Sequence, residues 1–231
     1  MRESLVHPPP AHRAAVGSAR SLTAARLAKR LLDLVVATAC LAVASLVLLP
    51  VAAAIRLTTP GPALFRQTRL GKDRRPFVLY KFRTMHVDCS DDVHREYVTK
   101  LLTEERPPDG GRAGVFKLEG DDRITPVGRL LRRTSIDELP QLLNVIRGDM
   151  SLVGPRPPLP WEAEMFDTIF SGRFAVPPGL TGLWQVSGRN SLTMRQGLEL
   201  DVEYVRRQSL ALDLWILIKT VPTVLSTRGA L

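Results

Sequence analysis

"IDELPQLLNV", residues 136–145, sets two adjacent carboxylates, Asp137 and Glu138, directly ahead of an apolar helical pattern. "RLLRRTS", residues 129–135, brings Arg129, Arg132 and Arg133 immediately upstream. Acidic side chains are ordinary in a first helical turn, because unpaired N–H groups and the macrodipole leave positive charge there. Ser135 and Glu138 have the spacing of a capping box, and Pro140 is tolerated only near a helix start. Local chemistry alone therefore offers helix capping; a reacting role for the acids needs support from the rest of the chain.

Composition narrows the partners. The 231 residues carry a formal charge of +9, which calls for an anion: nucleic acid, phospholipid headgroups or a phosphorylated substrate. The two cysteines, Cys40 in an apolar run and Cys89 in a polar stretch, form neither a disulfide framework nor a metal cluster, which fits a reducing compartment. No Walker loop, dinucleotide fingerprint or HExxH occurs.

Residues 1–28 are rich in Pro, Ala, Ser and Arg and read as a basic disordered tail, with a short helix starting near Ser21. From Leu34 to Ile55 the chain is charge-free, and its length meets the roughly 20 residues a bilayer crossing needs. Asp33 stands at its mouth and reads as lying at headgroup level. Lys29 and Arg30 precede the run and Arg56 follows it, within flanks that are both strongly basic. The positive-inside rule would keep both flanks on the cytoplasmic side, and Pro50 removes a backbone hydrogen bond within the run. A hairpin-like helix that enters and leaves by one face satisfies both facts; a single kinked span is the alternative.

Beyond the run, "PALFRQTRLGKDRRPFVLYKFRTM" reads as two short strands around a Gly-Lys-Asp turn, anchored by Phe65, Phe77, Tyr80 and Phe82. Arg66, Arg69, Lys81 and Arg83 bring cations to this surface, each reading individually as a solvated or headgroup-facing charge. Residues 86–114 read as a helix followed by a mobile loop. The stretch up to residue 160 then places arginines against carboxylates. A helix N-terminus and arginine forks both bind phosphate, and carboxylates tolerate phosphate nearby only with a divalent cation or several arginines between them. That combination suits phosphoryl transfer.

Taken together, these blocks resemble the bacterial sugar transferase family, the monotopic phosphoglycosyl transferases. The likeness runs over roughly residues 26–230: "KRLLDLVVA", "PGPALFRQTRLG", "YKFRTM", "RTSIDELPQLLNVIRGDMSLVGPRP" and "PPGLTGLWQVSGRN", in order. The resemblance implies transfer of a sugar-1-phosphate from a UDP-sugar to polyprenyl (undecaprenyl) phosphate. UMP is released through a covalent aspartyl-phosphosugar intermediate. It implies the first membrane step of exopolysaccharide, O-antigen or glycoprotein glycan synthesis, on the cytoplasmic face of the bacterial inner membrane. By the same resemblance Asp137 is the nucleophile and Glu138, with Asp137 beside it, a ligand of Mg²⁺. Arg132 would hold a phosphate, and Lys81, Arg156, Arg189 and Asp201 would belong to the substrate site. Many members carry Ser before the membrane proline, where this chain has Leu49. The short tail resembles the small form of the family.

The expected fold is α+β and mostly helical. It divides into the tail (1–28), a re-entrant membrane helix broken at Pro50 (29–59), and a compact cytoplasmic catalytic domain with interfacial helices (60–231). "LALDLWILIKTVPTVL", residues 210–225, suits either an interfacial or a core helix. The partners expected are a UDP-sugar, polyprenyl phosphate and membrane phospholipids, with homo-oligomerisation left open and no nucleic acid. The rival readings are a membrane-anchored nucleic-acid binder or a scaffold. The first lacks a basic recognition helix, and the second leaves the acid–arginine–proline core unexplained.

Overall fold

The computed structural model of the chain describes residues 12–87, 95–96, 98–99, 122–166, 168–188 and 192–225. The expected helix and loop over 86–114 lie mostly outside these, as does Arg189. The described part is mostly helical with two small sheets, in agreement with the α+β reading.

One helix, α1, runs from His12 to Thr58 and contains Pro50. It begins well before Lys29: the short helix expected from near Ser21 is part of it, and residues 12–20, expected to be disordered, continue it backward. The Ala, Leu, Arg and Lys content of that stretch favours helix once the apolar part has nucleated it. Within the stretch Thr23–Thr58 the most apolar window is only 11% buried, with Val43, Leu46 and Leu49 each more than 70% exposed. A core helix of a water-soluble domain would bury these side chains.

Strands β1 (Leu64–Leu70) and β2 (Pro76–Phe82) form the expected antiparallel hairpin, with Leu64 opposite Phe82 and Leu70 opposite Pro76. Its turn, Lys72–Arg74, places Asp73 at φ 55° and Arg74 at φ 58°. After α2 (Pro126–Thr134) the chain makes a 3₁₀ turn over Ile136–Gln141 and enters α3 (Leu142–Arg147). Strand β3 (Ser151–Val153) pairs in parallel with β4 (Gly179–Thr181). Between those strands lie α4 (Pro160–Glu164) and a 3₁₀ segment, Thr168–Ala175. The chain closes with α5 (Leu183–Ser187), α6 (Met194–Arg207) and α7 (Leu210–Leu225).

The main core draws on nearly every element: Ala37 of α1, Leu79 of β2, Leu142 and Val145 of α3, Leu152 and Val153 of β3, Tyr204 of α6 and Ile216 of α7. A second core joins Phe170, Trp184, Met194 and Leu198. There Gly197 lets α6 meet the Trp184 indole at a distance no Cβ would permit. α7 contributes to the core as expected and keeps an apolar outer side. Asp213 and Ile216 are sealed inside, whereas Leu214, Trp215, Ile218 and Val221 stand exposed.

Both ends of the apolar run rest on this one body. At the first end, Lys29 Nζ donates to Asp213 Oδ2 at 2.8 Å and to Val153 O, and Arg30 donates to the carbonyls of Val145 and Ile146. Asp33, expected at headgroup level, is instead buried and accepts from Leu152 N–H at 3.1 Å. At the other end Ile55 is buried with Ala63, Phe82 and Leu131. Arg83 is likewise no surface charge: it is 6% exposed and donates to Pro60 O, Thr59 O and Thr59 Oγ1, tying the helix exit to β2.

Candidate active site

Asp137 and Glu138 sit in the 3₁₀ turn, half-buried and packed on β2. The expected capping box does not form. Ser135 adopts the left-handed conformation, φ 56° and ψ 17°, and its side chain makes no capping bond. It ends α2, its own N–H bonding back to Arg132 O, while its carbonyl accepts from Glu138 N–H. The reversal at Ser135 breaks α2 from the 3₁₀ turn, so the acids occupy the first turn of a new helical segment, as expected, but without a Ser135 side-chain cap.

The base of the site is the hairpin face shared by Phe65, Gln67, Arg69, Phe77, Leu79 and Lys81. Residues alternate across a strand, and the register pairs Phe65 with Lys81 and Arg69 with Phe77. Lys81 is half-buried, its ammonium 5.0 Å from the centre of the Phe65 ring. Burial pushes its pKa down to about 8, aided by the positive charges of Arg69 and Arg132 and opposed by Asp137 and Glu138. Two further cations and both carboxylates thus act on Lys81, and the acid turn packs on the strand that carries it. Arg132 Nε donates to Thr84 Oγ1 at 3.0 Å. Gly128, one turn earlier, permits this: a Cβ there would lie 2.0 Å from Thr84 O. Arg129 and Arg133 point to solvent.

Two residues escaped the sequence reading. Arg69, read as a solvated cation, is 8% exposed; it donates to Gln67 Oε1 and Pro157 O, and lies 3.7 Å from Glu162. Its parity with Lys81 across the hairpin register was the available signal. Asn144, fully buried, donates from its amide to Val78 O at 2.7 Å and accepts from Tyr80 N–H at 3.1 Å. It thus satisfies the open edge of β2 as a neighbouring strand would, and fixes α3, with the acid turn before it, against the strand that carries Lys81. No sequence pattern marks an asparagine for that task.

The other expected site residues fall into two kinds. Arg156 is exposed on the connection between β3 and α4. Asp201 is 1% exposed and bonded to Arg173 at 2.5 Å, so it faces the interior behind Arg156 and does not open to a ligand. For a metal, Asp137 and Glu138 offer two hard oxygen donors. Among the described residues no group of three or more acidic, histidine or cysteine side chains gathers.

The chain is 45% identical over 212 residues to the UDP-glucose:undecaprenyl-phosphate glucose-1-phosphate transferase of Caulobacter vibrioides, covering 88% of this chain and 72% of that protein. It is 40% identical over 206 residues to the exopolysaccharide production protein ExoY of Rhizobium meliloti, covering 88% of each. Against the undecaprenyl-phosphate galactose phosphotransferase of Salmonella typhimurium it is 42% identical over 170 residues, spanning 74% of this chain and only 35% of the relative. The bacterial sugar transferase family model matches residues 24–227, the acid turn, the hairpin and the Arg156 connection included, and the chain belongs to that family.

Proposed function

We propose that the protein transfers a sugar-1-phosphate from a UDP-sugar to polyprenyl phosphate through a covalent intermediate on Asp137. The observation that carries this reading is the acid pair set among Lys81, Arg69 and Arg132. A carboxylate can approach a diphosphate only where cations offset the repulsion, and a preformed cationic cluster does so without reorganising.

In the first step an Asp137 carboxylate oxygen attacks the β-phosphorus of the donor. The bond from that phosphorus to the bridging oxygen breaks, and UMP leaves with the electron pair. In the second, a phosphate oxygen of the polyprenyl acceptor attacks the same phosphorus and the acyl-phosphate bond breaks, restoring the carboxylate. Arg132 and Lys81 hold the donor's phosphate oxygens, and exposed Arg156 contributes a third cation. The two adjacent carboxylates suit Mg²⁺, which takes one or two protein oxygens and completes its shell with phosphate and water. Bound there, it would supply further neutralisation of phosphate charge. Glucose and galactose, named for the relatives, are the first donors to try.

The membrane arrangement we infer is re-entrant. Lys29 and Ile55 bracket an apolar run that starts and finishes on one domain, and the exposed apolar side of α7 adds a surface suited to the bilayer interface. UDP-sugars are cytoplasmic, so the domain belongs on that face.

The test is Asp137→Asn, which removes the nucleophile at nearly constant volume. UMP release from UDP-glucose or UDP-galactose by purified protein should fall at least about 1,000-fold. Intact-mass analysis of the parent with donor alone should reveal a phosphosugar adduct mapping to Asp137. Substantial UMP release by the folded Asn variant would refute the assignment.

A further inference from the structure

Residues 154–159, Gly-Pro-Arg-Pro-Pro-Leu, form a connection in which only Arg156 is exposed. The carbonyls of residues 155–158 are each held. Pro155 O accepts from Gly179 N–H, Arg156 O from Arg173 Nη2 at 2.6 Å, Pro157 O from Arg69 Nη1 and Pro158 O from Leu70 N–H. At its ends, Gly154 N–H donates to Thr181 O and Leu159 N–H to Glu162 Oε2. Three prolines fix φ between these anchors. So much order around one solvent-facing guanidinium is unneeded for a mere connection, because loops ordinarily leave their polar backbone to water.

The anchor at Arg156 itself differs from the others. The Arg173 nitrogen that holds Arg156 O also holds Asp201 Oδ2, and both side chains are almost wholly buried. The charge of Arg156 also acts on the buried Asp201 carboxylate. The Arg173 guanidinium is stacked near Phe166 and Phe174, at 5.0 and 5.6 Å from their ring centres. Among the described residues its Nε and Nη1 find no partner, nor does Asp201 Oδ1. Burying a charge pair with donors and an acceptor left over is costly, and apolar replacements commonly serve stability better. A role in directing Arg156 accounts for its presence.

We propose that Arg173 is a positioning residue: with Asp201 it grips the main chain of Arg156 and sets the direction of the guanidinium offered to the donor's phosphates. This rests on the phosphate-binding role given to Arg156 above. It also assigns Asp201 to the support of Arg156 and removes it from contact with substrate.

A double-mutant cycle tests it, with UMP release from UDP-glucose and UDP-galactose measured for the parent, Arg156→Ala, Arg173→Lys and the double variant. Lysine keeps the charge opposite Asp201, but its shorter, flexible stem does not hold one nitrogen between Arg156 O and Asp201 Oδ2 as the packed guanidinium does. Arg156→Ala and Arg173→Lys should each raise KM about tenfold with a smaller change in kcat. The double variant should match Arg156→Ala within about twofold, because residues acting through one another are non-additive. If Arg173→Lys loses its thermal unfolding transition, Asp201→Asn takes its place in the cycle. An undiminished loss on the Arg156→Ala background, or no loss from the single variant, overturns the positioning role alone. Parental KM in Arg156→Ala removes the phosphate role of Arg156 and this inference with it, and leaves the Asp137 chemistry standing on its own test.

Discussion

Lys29 Nζ and Asp213 Oδ2 lie 2.8 Å apart, joining the start of the apolar run to the C-terminal helix across 184 positions of sequence. Asp213 is 1% exposed and takes a second bond, 2.7 Å, from the Tyr204 hydroxyl, whose single proton is shared with Val153 O at 3.0 Å. Burial, reinforced by the neighbouring Asp213 charge, pushes the Tyr204 phenol well above its ordinary pKa, so it stays a donor. Lys29→Met would leave that carboxylate buried without its cation and should cost about 3 kcal/mol in unfolding measurements. Lys29→Met with Asp213→Leu should recover much of the loss, since Tyr204 keeps its bond to Val153 O. A silent Lys29→Met would mean the pair does not dock α1.

Lys81 carries the pH dependence. With its pKa lowered to about 8, the ammonium needed for phosphate is lost as pH rises through that value, so kcat/KM should fall on the alkaline side near pH 8. Lys81→Arg keeps its charge and should move that limb upward, whatever its effect on the maximum. Stability has its own sign. A lysine whose folded pKa lies below its unfolded value of 10.5 penalises the fold fully below pH 8, and the penalty fades between about 8 and 10.5. The stability difference between Lys81→Met and the parent should therefore shift in the parent's favour across that window. An alkaline limb unmoved by Lys81→Arg would assign it to another group.

Alternation in "FRQTRLG" and "FVLYKF" made the hairpin legible, and the charge-free run made α1 legible, because each is a periodicity or length set by local geometry. The acid pair was legible as chemistry but not in its local conformation. A Ser-x-x-Glu spacing is shared by capped helices and by this left-handed reversal, and local sequence does not select between them. Arg69, Arg83 and Asp33 were misread for one reason: a charge beside a membrane segment suggests solvent or headgroups. Their actual partners, Pro157 O, Pro60 O and Leu152 N–H, come from distant parts of the chain. Asn144 and Arg173 were invisible because backbone groups satisfied by a remote side chain leave no local pattern.

Ser135 offers a direct check on the conformation that aims the acids. Its left-handed backbone costs a non-glycine residue roughly 1 kcal/mol, and its side chain gives nothing back as a cap. Ser135→Gly should accordingly hold or raise the unfolding temperature and keep UMP release within about twofold. Ser135→Val should destabilise and reduce turnover, because a β-branched residue resists positive φ. Were the capping box present, glycine would lose a few tenths of a kcal/mol instead of gaining. A clear loss in Ser135→Gly would restore that reading.

The last prediction concerns the path of α1. A straight helix from Arg30 to Ile55 would be about 37 Å long, enough to cross a bilayer, yet both residues contact the same domain. A through-membrane path would separate those contacts by the membrane thickness, so the run should enter and leave by one face. Single cysteines at Ala25 and Thr58, both exposed, can test this on a Cys40→Ser, Cys89→Ser background. In intact cells both should resist an impermeant thiol reagent, and both should react once the cytoplasmic face is opened. Pro50→Ala returns the missing N–H and favours a straight helix, but the Lys29, Arg30 and Asp33 contacts still hold the N-terminal flank. Pro50→Ala alone should therefore leave the Ala25 probe largely shielded, and adding Lys29→Met should expose a fraction of it. External labelling of either probe in the parent would establish a true span and refute the re-entrant path.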